Sequence, residues 1–407
     1  MGFQQGLSGL MGAARNLEVI GNNVANANTV GFKGSRAQFT DVYANTLATS
    51  AGSQIGLGTR LASVAQMFTQ GTITTTNNPL DVAINGEGFY RMSNNGSITY
   101  SRNGQFQLNN AGFIVGNNGG HLTGYAADAT GKITAGATTD LKVSKADLAP
   151  LATSKANAIV NLDSRNATLT AAGFKLADAS TYNSSTSMSV YDTLGNEHTL
   201  SMYFVKTAAN TYSVFAANDG VQVGAAAVGT ATFKPDGSLD TTATKLPFAL
   251  SIPVTTGATA PMLIGLDLTG ATQFGTNFSV NDLNQNGYTA GKLTGFAITA
   301  AGVIEGHYSN GQTFAQGQIA LASFANAQGL APMGSNQWTE TAASGAPLVG
   351  NPGTGVLGAL QAGAVEDANV DLTAELVDMI TAQRAYQANA QTIKTEDSLM
   401  QTIVSLR

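Results

Sequence analysis

The chain of 407 residues is long enough for roughly two to four domains with a substantial buried core. Only 11% of the residues are charged, the net charge is -6, and no basic cluster occurs, which argues against a nucleic-acid partner. Cysteine is absent, so thiol catalysis, disulfides and thiolate-bound metals are excluded. What remains is a glycine-rich surface of Asn, Thr, Ser and Ala, polar but scarcely ionic, which repels identical copies only weakly.

The first residues, MGFQQGLSGLMGAARNLEVI, lack the basic start and unbroken apolar run of a secretory signal. No apolar stretch reaches the length of about 18 residues that a membrane span needs. The sequence predicts no membrane insertion, and either a cytoplasmic protein or one exported without a cleavable signal. Phe3, Leu7, Leu10, Ala14, Leu17, Gly21 and Val24 recur at alternating spacings of four and three, one stripe of a helix. Gly2, Gly6, Gly9 and Gly12 cost about 1 kcal/mol each relative to Ala. This helix is therefore expected to order only within a polymer. From Asn16 to Phe39 the chain reads NLEVIGNNVANANTVGFKGSRAQF. Asn22, Asn23, Asn26 and Gly31 let it leave the helix, and Phe32 and Lys33 re-anchor it, either against neighbouring copies or on its own domain.

From Phe89 to Tyr125 short β-branched and aromatic runs alternate with turn signals at Asn94-Asn95-Gly96, Asn103-Gly104, Asn110-Ala111-Gly112 and Asn117-Asn118-Gly119-Gly120. NGEGF (Asn85 to Phe89) and GNNGGHLTG (Gly116 to Gly124) are likewise expected to be hairpin turns. An Ala/Thr/Ser-rich stretch from Leu141 to Ala171 is expected to cross between domains. Met188 to Phe215 predicts a three-stranded meander with turns at Leu194-Gly195-Asn196 and Ala209-Asn210, and Pro235-Asp236-Gly237 marks a further turn. A return crossing is expected near Asn281 to Gly291, after which strand-and-turn alternation resumes.

The last stripe comprises Leu372, Leu376, Met379, Gln383, Tyr386, Ala390, Ile393, Asp397, Met400 and Val404. Asp371 can cap this helix and Glu375 suits its positive end. Helical to Arg407, it would be about 54 Å long. Pairing two such helices buries one seam, leaving Met11, Ile20, Ile380 and Leu399 to be covered by other molecules. The predicted fold is mainly β with α-helical termini: nested, multidomain, with discontinuous β domains and a paired N-/C-terminal coiled-coil layer. The expected parts are 1–28 with 370–407, a connecting segment of 29–70 with 355–369, a middle β domain of 71–144 with 285–354, and an inserted outer β domain of 145–284.

The search for chemistry yields no catalytic, cofactor-binding or metal-ligating residues. His121, His198 and His307 stand far apart and are expected to be structural or exposed. DLNQNG (Asp282 to Gly287) matches the first half of a calcium loop, but position twelve is Leu293, and the segment is expected to be a turn. Glu366, Asp367 and Asp371 before the last helix are explained by capping.

Three long motifs carry a resemblance. The N-terminal helix with ANANTVGFK (Ala25 to Lys33), QGTITTTNNPLDVAINGEGFY (Gln70 to Tyr90) and NVDLTAELVDMITAQRAYQANAQTI (Asn369 to Ile393) are similar to the signatures of bacterial flagellar axial proteins. Rod proteins share all three. The inserted β region, the length, NQNGYTAGKL and GQIALASFANAQGLAPMGSNQW (Gly317 to Trp338) resemble the hook proteins among them. The resemblance implies a structural, non-enzymatic subunit without cofactors, polymerising in many copies into a curved tube that transmits torque from rod to filament. It implies a rod protein at the proximal end, a hook–filament junction protein at the distal end and a hook cap during assembly. It further implies export through the flagellum's own type III apparatus and an extracellular place in the hook. The expected assembly residues are Phe3, Leu7, Leu10, Leu17, Val24, Leu372, Leu376, Met379, Tyr386, Ile393 and Met400; the axial-family motif comprises Asn22, Asn23, Asn26, Gly31, Phe32 and Lys33. A distal-rod protein is the alternative of the same class. A β-rich extracellular adhesin is the alternative of another, and it leaves the terminal stripes unexplained.

Overall fold

A computed structural model of the chain describes residues 2–42, 56–128, 130–134 and 136–405. Part of the expected connecting segment, 43–55, lies outside the described residues, as do the last two residues of the expected C-terminal helix. The chain forms two compact units, one of Met1–Lys145, Gly295–His307 and Thr313–Arg407, the other of Ala146–Thr294 and Tyr308–Gln312.

The first unit begins with helix α1 (Gly2–Ala25) and ends with helix α2 (Leu372–Ser405). Between them early and late segments interleave. Ile73–Thr75 pairs with Ala364–Glu366, and Val82–Asn85 pairs with Ala359–Ala362, both antiparallel. Phe89–Asn94 lies between the early strand Ser97–Ser101 and the late strand Leu321–Ser323. The interior is aromatic: Phe68, Phe89, Phe324 and Trp338 meet edge-on at 5.5–5.9 Å between ring centroids, a geometry their quadrupoles favour. The indole nitrogen of Trp338 donates to Gln66 Oε1 at 2.6 Å. At Asn94-Asn95-Gly96 the predicted hairpin forms, with φ of 50° at Asn95 and 88° at Gly96 as a primed turn requires. Gly116–Gly120 also turns between paired strands. NGEGF does not make a hairpin. Val82–Asn85 pairs with Ala359–Ala362 and Phe89–Asn94 with other strands, so Gly86 and Gly88, at φ of 116° and 123°, turn a corner between two sheets.

The second unit is a sandwich. One sheet runs in the order Phe248–Ile252, Met262–Asp267, Lys155–Asn161, Ser279–Gln285; the other is built on Ser184–Tyr191, Glu197–Ala208 and Thr211–Asn218. Inward residues alternate along Phe248–Ile252, Met262–Asp267 and much of Glu197–Ala208, as in Leu200, Met202 and Phe204 facing Leu250, Ile264 and Val160, all buried. The meander forms as its sequence predicts, with Gly195 and Asn210 at positive φ in its two turns. Two expectations fail here. Lys155–Asn161, read as part of a crossing, is an interior strand whose Ala156, Ala158 and Val160 are core. Its alternating apolar positions are mostly small alanines, which carry a weak β signal. Asp282–Gln285 is strand rather than turn, and the chain turns only at Asn286-Gly287.

Candidate assembly surface

The two terminal helices run antiparallel. Asp371 caps α2, its Oδ1 accepting from the amides of Thr373 (2.9 Å) and Ala374 (3.2 Å). At one end of the pair Asn23 Nδ2 donates to Glu375 Oε1 at 2.9 Å. At the other, α1 approaches α2 through glycines. A Cβ on Gly9 would stand 2.6 Å from Asn389 Oδ1, and one on Gly6 would stand 3.1 Å from Ile393 Cγ1. Gly12 faces Phe39 and Thr59 of the hairpin formed by Ser35–Val42 and Gly58–Gln66, and the Thr59 amide donates to Ser8 Oγ at 3.3 Å.

This corrects the expected seam. The buried face of α1 is Gly6, Gly12, Ala13, Ile20 and Asn23, not the stripe of large residues beginning at Phe3. Small residues let the helix sit closely against both α2 and the hairpin, which the large stripe could not do. The same close seating sets the glycine-rich helix against other parts of its own chain. Ile20, expected to need another molecule, is buried.

The expected assembly residues divide accordingly. Leu10, Leu17, Val24, Met379 and Ile393 are half-buried in the single chain. Phe3, Leu7 and Met11, one turn apart on α1, are 50%, 38% and 59% exposed. On α2, Leu372, Leu376 and Ile380 form a second ridge at 45–52% exposure. Tyr386, Leu399, Met400 and Val404 are also exposed, the last three beyond the point where Gly6 meets Ile393.

The motif that follows α1 turns inward. Asn23 is buried and grips Ser35 twice, donating to its carbonyl at 2.8 Å and accepting from its amide at 2.9 Å. Asn22 is exposed, and Asn26 donates to the Asn22 carbonyl at 3.0 Å, closing the helix end. Gly31 has φ of 70° and lies so close to Asn103 that a Cβ would stand 2.6 Å from its nitrogen, so glycine is required twice over. Phe32 is buried. Lys33 is wholly buried, its ammonium 2.7 Å from Glu366 Oε1 and donating to the Thr69 carbonyl at 2.7 Å. Arg102 Nε faces the other Glu366 oxygen at 3.0 Å. Burial lowers the Lys33 pKa below its ordinary value, while the Glu366 carboxylate opposes that shift. Of the two roles open to Phe32 and Lys33, the structure has the intramolecular one. Glu366 is not a capping group but the anion of a buried triad; Asp371 alone caps, and Asp367 accepts from Thr74.

Four segments match flagellar families. Residues 3–33 match flagella basal body rod protein, and residues 83–146 match the flagellar hook protein FlgE/F/G D1 domain. Residues 161–288 match the flagellar basal body protein FlaE D2 domain, and residues 361–406 match the flagellar basal body rod FlgEFG protein C-terminal region. Over the whole of both chains the sequence is 42% identical to the flagellar hook proteins FlgE of Escherichia coli K12 and Salmonella typhimurium LT2. It is 32% identical to that of Borreliella burgdorferi, covering 99% of this chain and 98% of the relative. The chain belongs to the flagellar hook protein family. The crystal structure of Helicobacter pylori flagellar hook protein FlgE2 shares the fold at a TM-score of 0.54 and 13% identity, covering 71% of this chain and 99% of that one. The protein is thus a structural subunit of the flagellar hook, mostly β with a helix at each end.

In this hook subunit each of the three histidines has its own neighbours. His121 stacks on Phe113 at 4.8 Å and meets Asp140 at 2.8 Å, His198 lies between Asp219 and Asp192, and His307 is on the strand Val303–Tyr308. Among the described residues no group of three or more His, Cys, Asp or Glu is placed to hold a metal ion, and no helix is long and apolar enough to cross a membrane. The long-range contacts that the sequence does not reveal are those of Glu366, Arg102 and Asn369. Asn369 accepts from the Gly34 amide at 2.7 Å and donates to the Met67 carbonyl at 2.7 Å. No local pattern marks these contacts, because each partner lies hundreds of positions away.

Proposed function

We propose that the subunit polymerises through the outward ridges of α1 and α2 into the curved tube of the hook, a flexible joint that passes torque from rod to filament. The observation that carries this reading is the pair of apolar ridges, Phe3–Leu7–Met11 and Leu372–Leu376–Ile380, which the single chain leaves in water. Exposed apolar stripes of this kind mark surfaces meant for a partner. The small-residue face serves the pairing of a subunit's own two helices, and the large-residue faces serve its neighbours. We assign residues 1–28 with 370–407 to this helical part, 29–70 with 355–369 to the connecting segment, 71–144 with 285–354 to the middle β part and 145–284 to the inserted part. The role is mechanical rather than enzymatic, and it needs no cofactor. In the assembled flagellum the tube would meet a rod protein at one end and a junction protein at the other, grow beneath a cap, and receive subunits exported without a cleavable signal.

Leu376→Asp tests the reading. The substituted monomer should keep its fold, because this side chain already meets water. Concentrated protein viewed by electron microscopy should form no tubes, because assembly would bury an unpaired carboxylate. Normal tubes from Leu376→Asp would show that this ridge is not an assembly surface.

A further inference from the structure

The chain carries six Asn-Gly pairs, beginning at Asn85, Asn95, Asn103, Asn118, Asn286 and Asn310. Such a pair can modify itself, because glycine has no side chain to shield its backbone nitrogen from the carboxamide carbon beside it. The attack requires that nitrogen and that carboxamide to be free to move. Five of the six pairs are tied down. Asn85 lies in a strand paired with Ala359, and the Gly86 amide donates to Gln70 Oε1 at 2.9 Å. Asn103 Oδ1 accepts from the Gln105 amide at 2.9 Å, beside the buried Gly104. Asn118 Oδ1 accepts from the Gly120 amide at 3.4 Å, and the Gly119 amide donates to the Gly116 carbonyl at 2.9 Å. Asn286 Oδ1 accepts from the amides of Ser154 (3.0 Å) and Lys155 (2.9 Å), and its Nδ2 donates to Ser154 Oγ at 2.9 Å. Asn310 Nδ2 donates to the Thr289 carbonyl at 2.7 Å, and the Gly311 amide donates to the Tyr308 carbonyl at 3.0 Å.

Asn95-Gly96 differs in both respects. It forms the exposed two-residue tip of the hairpin between Phe89–Asn94 and Ser97–Ser101. Among the described residues neither the Asn95 side chain nor the Gly96 amide has a hydrogen-bond partner, and nothing stands within 4 Å of where a Gly96 Cβ would be. The first ladder pair below the tip, Asn94 with Ser97, is exposed too, so opening the turn disturbs no core contact. We propose that Asn95 is a site of spontaneous modification through a succinimide. The Gly96 nitrogen gives its proton to base and bonds to Asn95 Cγ, the Cγ–Nδ2 bond breaks, and ammonia leaves. Water then opens the cyclic imide. Cleavage at Cγ leaves aspartate; cleavage at the former backbone carbonyl leaves isoaspartate, with the main chain routed through Cβ. No oxidant, reductant or second protein takes part. Either product puts a negative charge at the tip, and isoaspartate adds a backbone atom that a two-residue turn does not fit. The step depends neither on polymerisation nor on the terminal helices.

Incubation of the full-length protein in mildly alkaline buffer, followed by peptide mapping with mass spectrometry, tests it. The peptide carrying Asn95 should gain about 1 Da, divided between aspartate and isoaspartate forms, roughly tenfold faster than the peptides carrying the other five pairs. In denaturant, where every turn is open, the six rates should draw together to within about threefold. Asn95→Gln, whose cyclisation needs a larger and slower ring closure, should abolish the gain at this position and leave the other five rates as they were. A faster gain at any other pair in the folded protein overturns the proposal. So does a folded chain in which Asn95 stays intact while the denatured chain reacts to completion. An undiminished lead for Asn95 in denaturant overturns it as well, because local sequence and not the open hairpin tip would then be the cause.

Discussion

The sandwich unit and the terminal helix pair dispose of their apolar side chains in opposite ways. In the sandwich, Leu200, Met202, Phe204, Val214, Leu250 and Ile264 all point inward and are almost wholly buried. In the helix pair the inward positions are Gly6, Gly9, Ala13 and Asn23, and the large residues Phe3, Leu7, Met11, Leu376 and Ile380 stay outside. The sandwich has a large buried core within one chain, so most of its hydrophobic gain is realised on folding, although Leu194, Val221 and Leu263 stay exposed. The pair holds apolar area in reserve, and burying it requires another molecule. Ile20 apart, the inner positions of α1 are thus small or polar and its exposed apolar positions are large.

The largest effect that could break this contrast is a cavity in the sandwich. Phe204 is fully buried on the strand Glu197–Ala208, and Phe204→Ala should cost about 3–5 kcal/mol in denaturant unfolding followed by the sheet signal. A cost below about 1 kcal/mol would mean that the sandwich is not a finished core.

Next in size is Ile393→Asp. Ile393 was expected to share the stripe of Leu376, but it faces Gly6 and is half-buried. The charge should cost about 2 kcal/mol in the single chain, read as loss of helical signal, whereas Leu376→Asp should cost almost nothing there. Equal monomer stabilities for the two variants would erase the distinction between inner seam and outer ridge.

These two helices also show how far the sequence could be read. The helices themselves, their nesting around β segments and the meander from Ser184 to Asn218 follow from periodicity and from Asn and Gly turn signals. The choice of helix face does not. A period of seven finds large residues, whereas the close approach of α1 and α2 depends on glycines that a hydrophobic pattern scores as gaps. Lys155–Asn161 was lost for a similar reason, since Ala156 and Ala158 fill a sandwich without advertising a strand. The triad was illegible for another reason. Lys33 and Glu366 lie 333 positions apart, and nothing local distinguishes a buried carboxylate from a capping one.

A smaller effect separates one glycine from another. Gly21 has nothing within 4 Å of where a Cβ would stand, so Gly21→Ala should stabilise α1 by about 1 kcal/mol through propensity alone. Gly9→Ala carries the same propensity gain but drives a methyl into Asn389, whose own side chain is tied to the Ala385 carbonyl at 2.9 Å. It should bring no net gain. Circular dichroism melts of the two variants would decide, and equal stabilisation by both would mean that glycine is not needed for the close approach.

The smallest expected effect is one of pH, and it belongs to the sandwich alone. His198 Nδ1 lies 2.6 Å from Asp219 Oδ2, and its Nε2 lies 3.4 Å from Asp192 Oδ2. Asp192 also accepts from Thr256 at 2.6 Å and from the Asn196 amide at 2.9 Å, so the cluster ties a turn to a loop. Burial disfavours the charged imidazole, but the hydrogen bonds and charges of the two aspartates outweigh it and raise the His198 pKa above 6.5. Asp192 and Asp219 are also partly desolvated, yet hydrogen bonds from their neighbours hold both below 3.8. A raised histidine contributes stability that is complete below its unfolded value and is lost as pH rises through the folded one. The lowered aspartates contribute above their unfolded values and lose that contribution only in strong acid. The sandwich should therefore melt highest in mildly acidic buffer and progressively lower as pH rises above 6.5. His198→Gln keeps hydrogen-bonding capacity without the titration, and its melting temperature should be flat over the same interval. Parallel slopes for the two proteins would show that the charge on His198 contributes nothing to the fold.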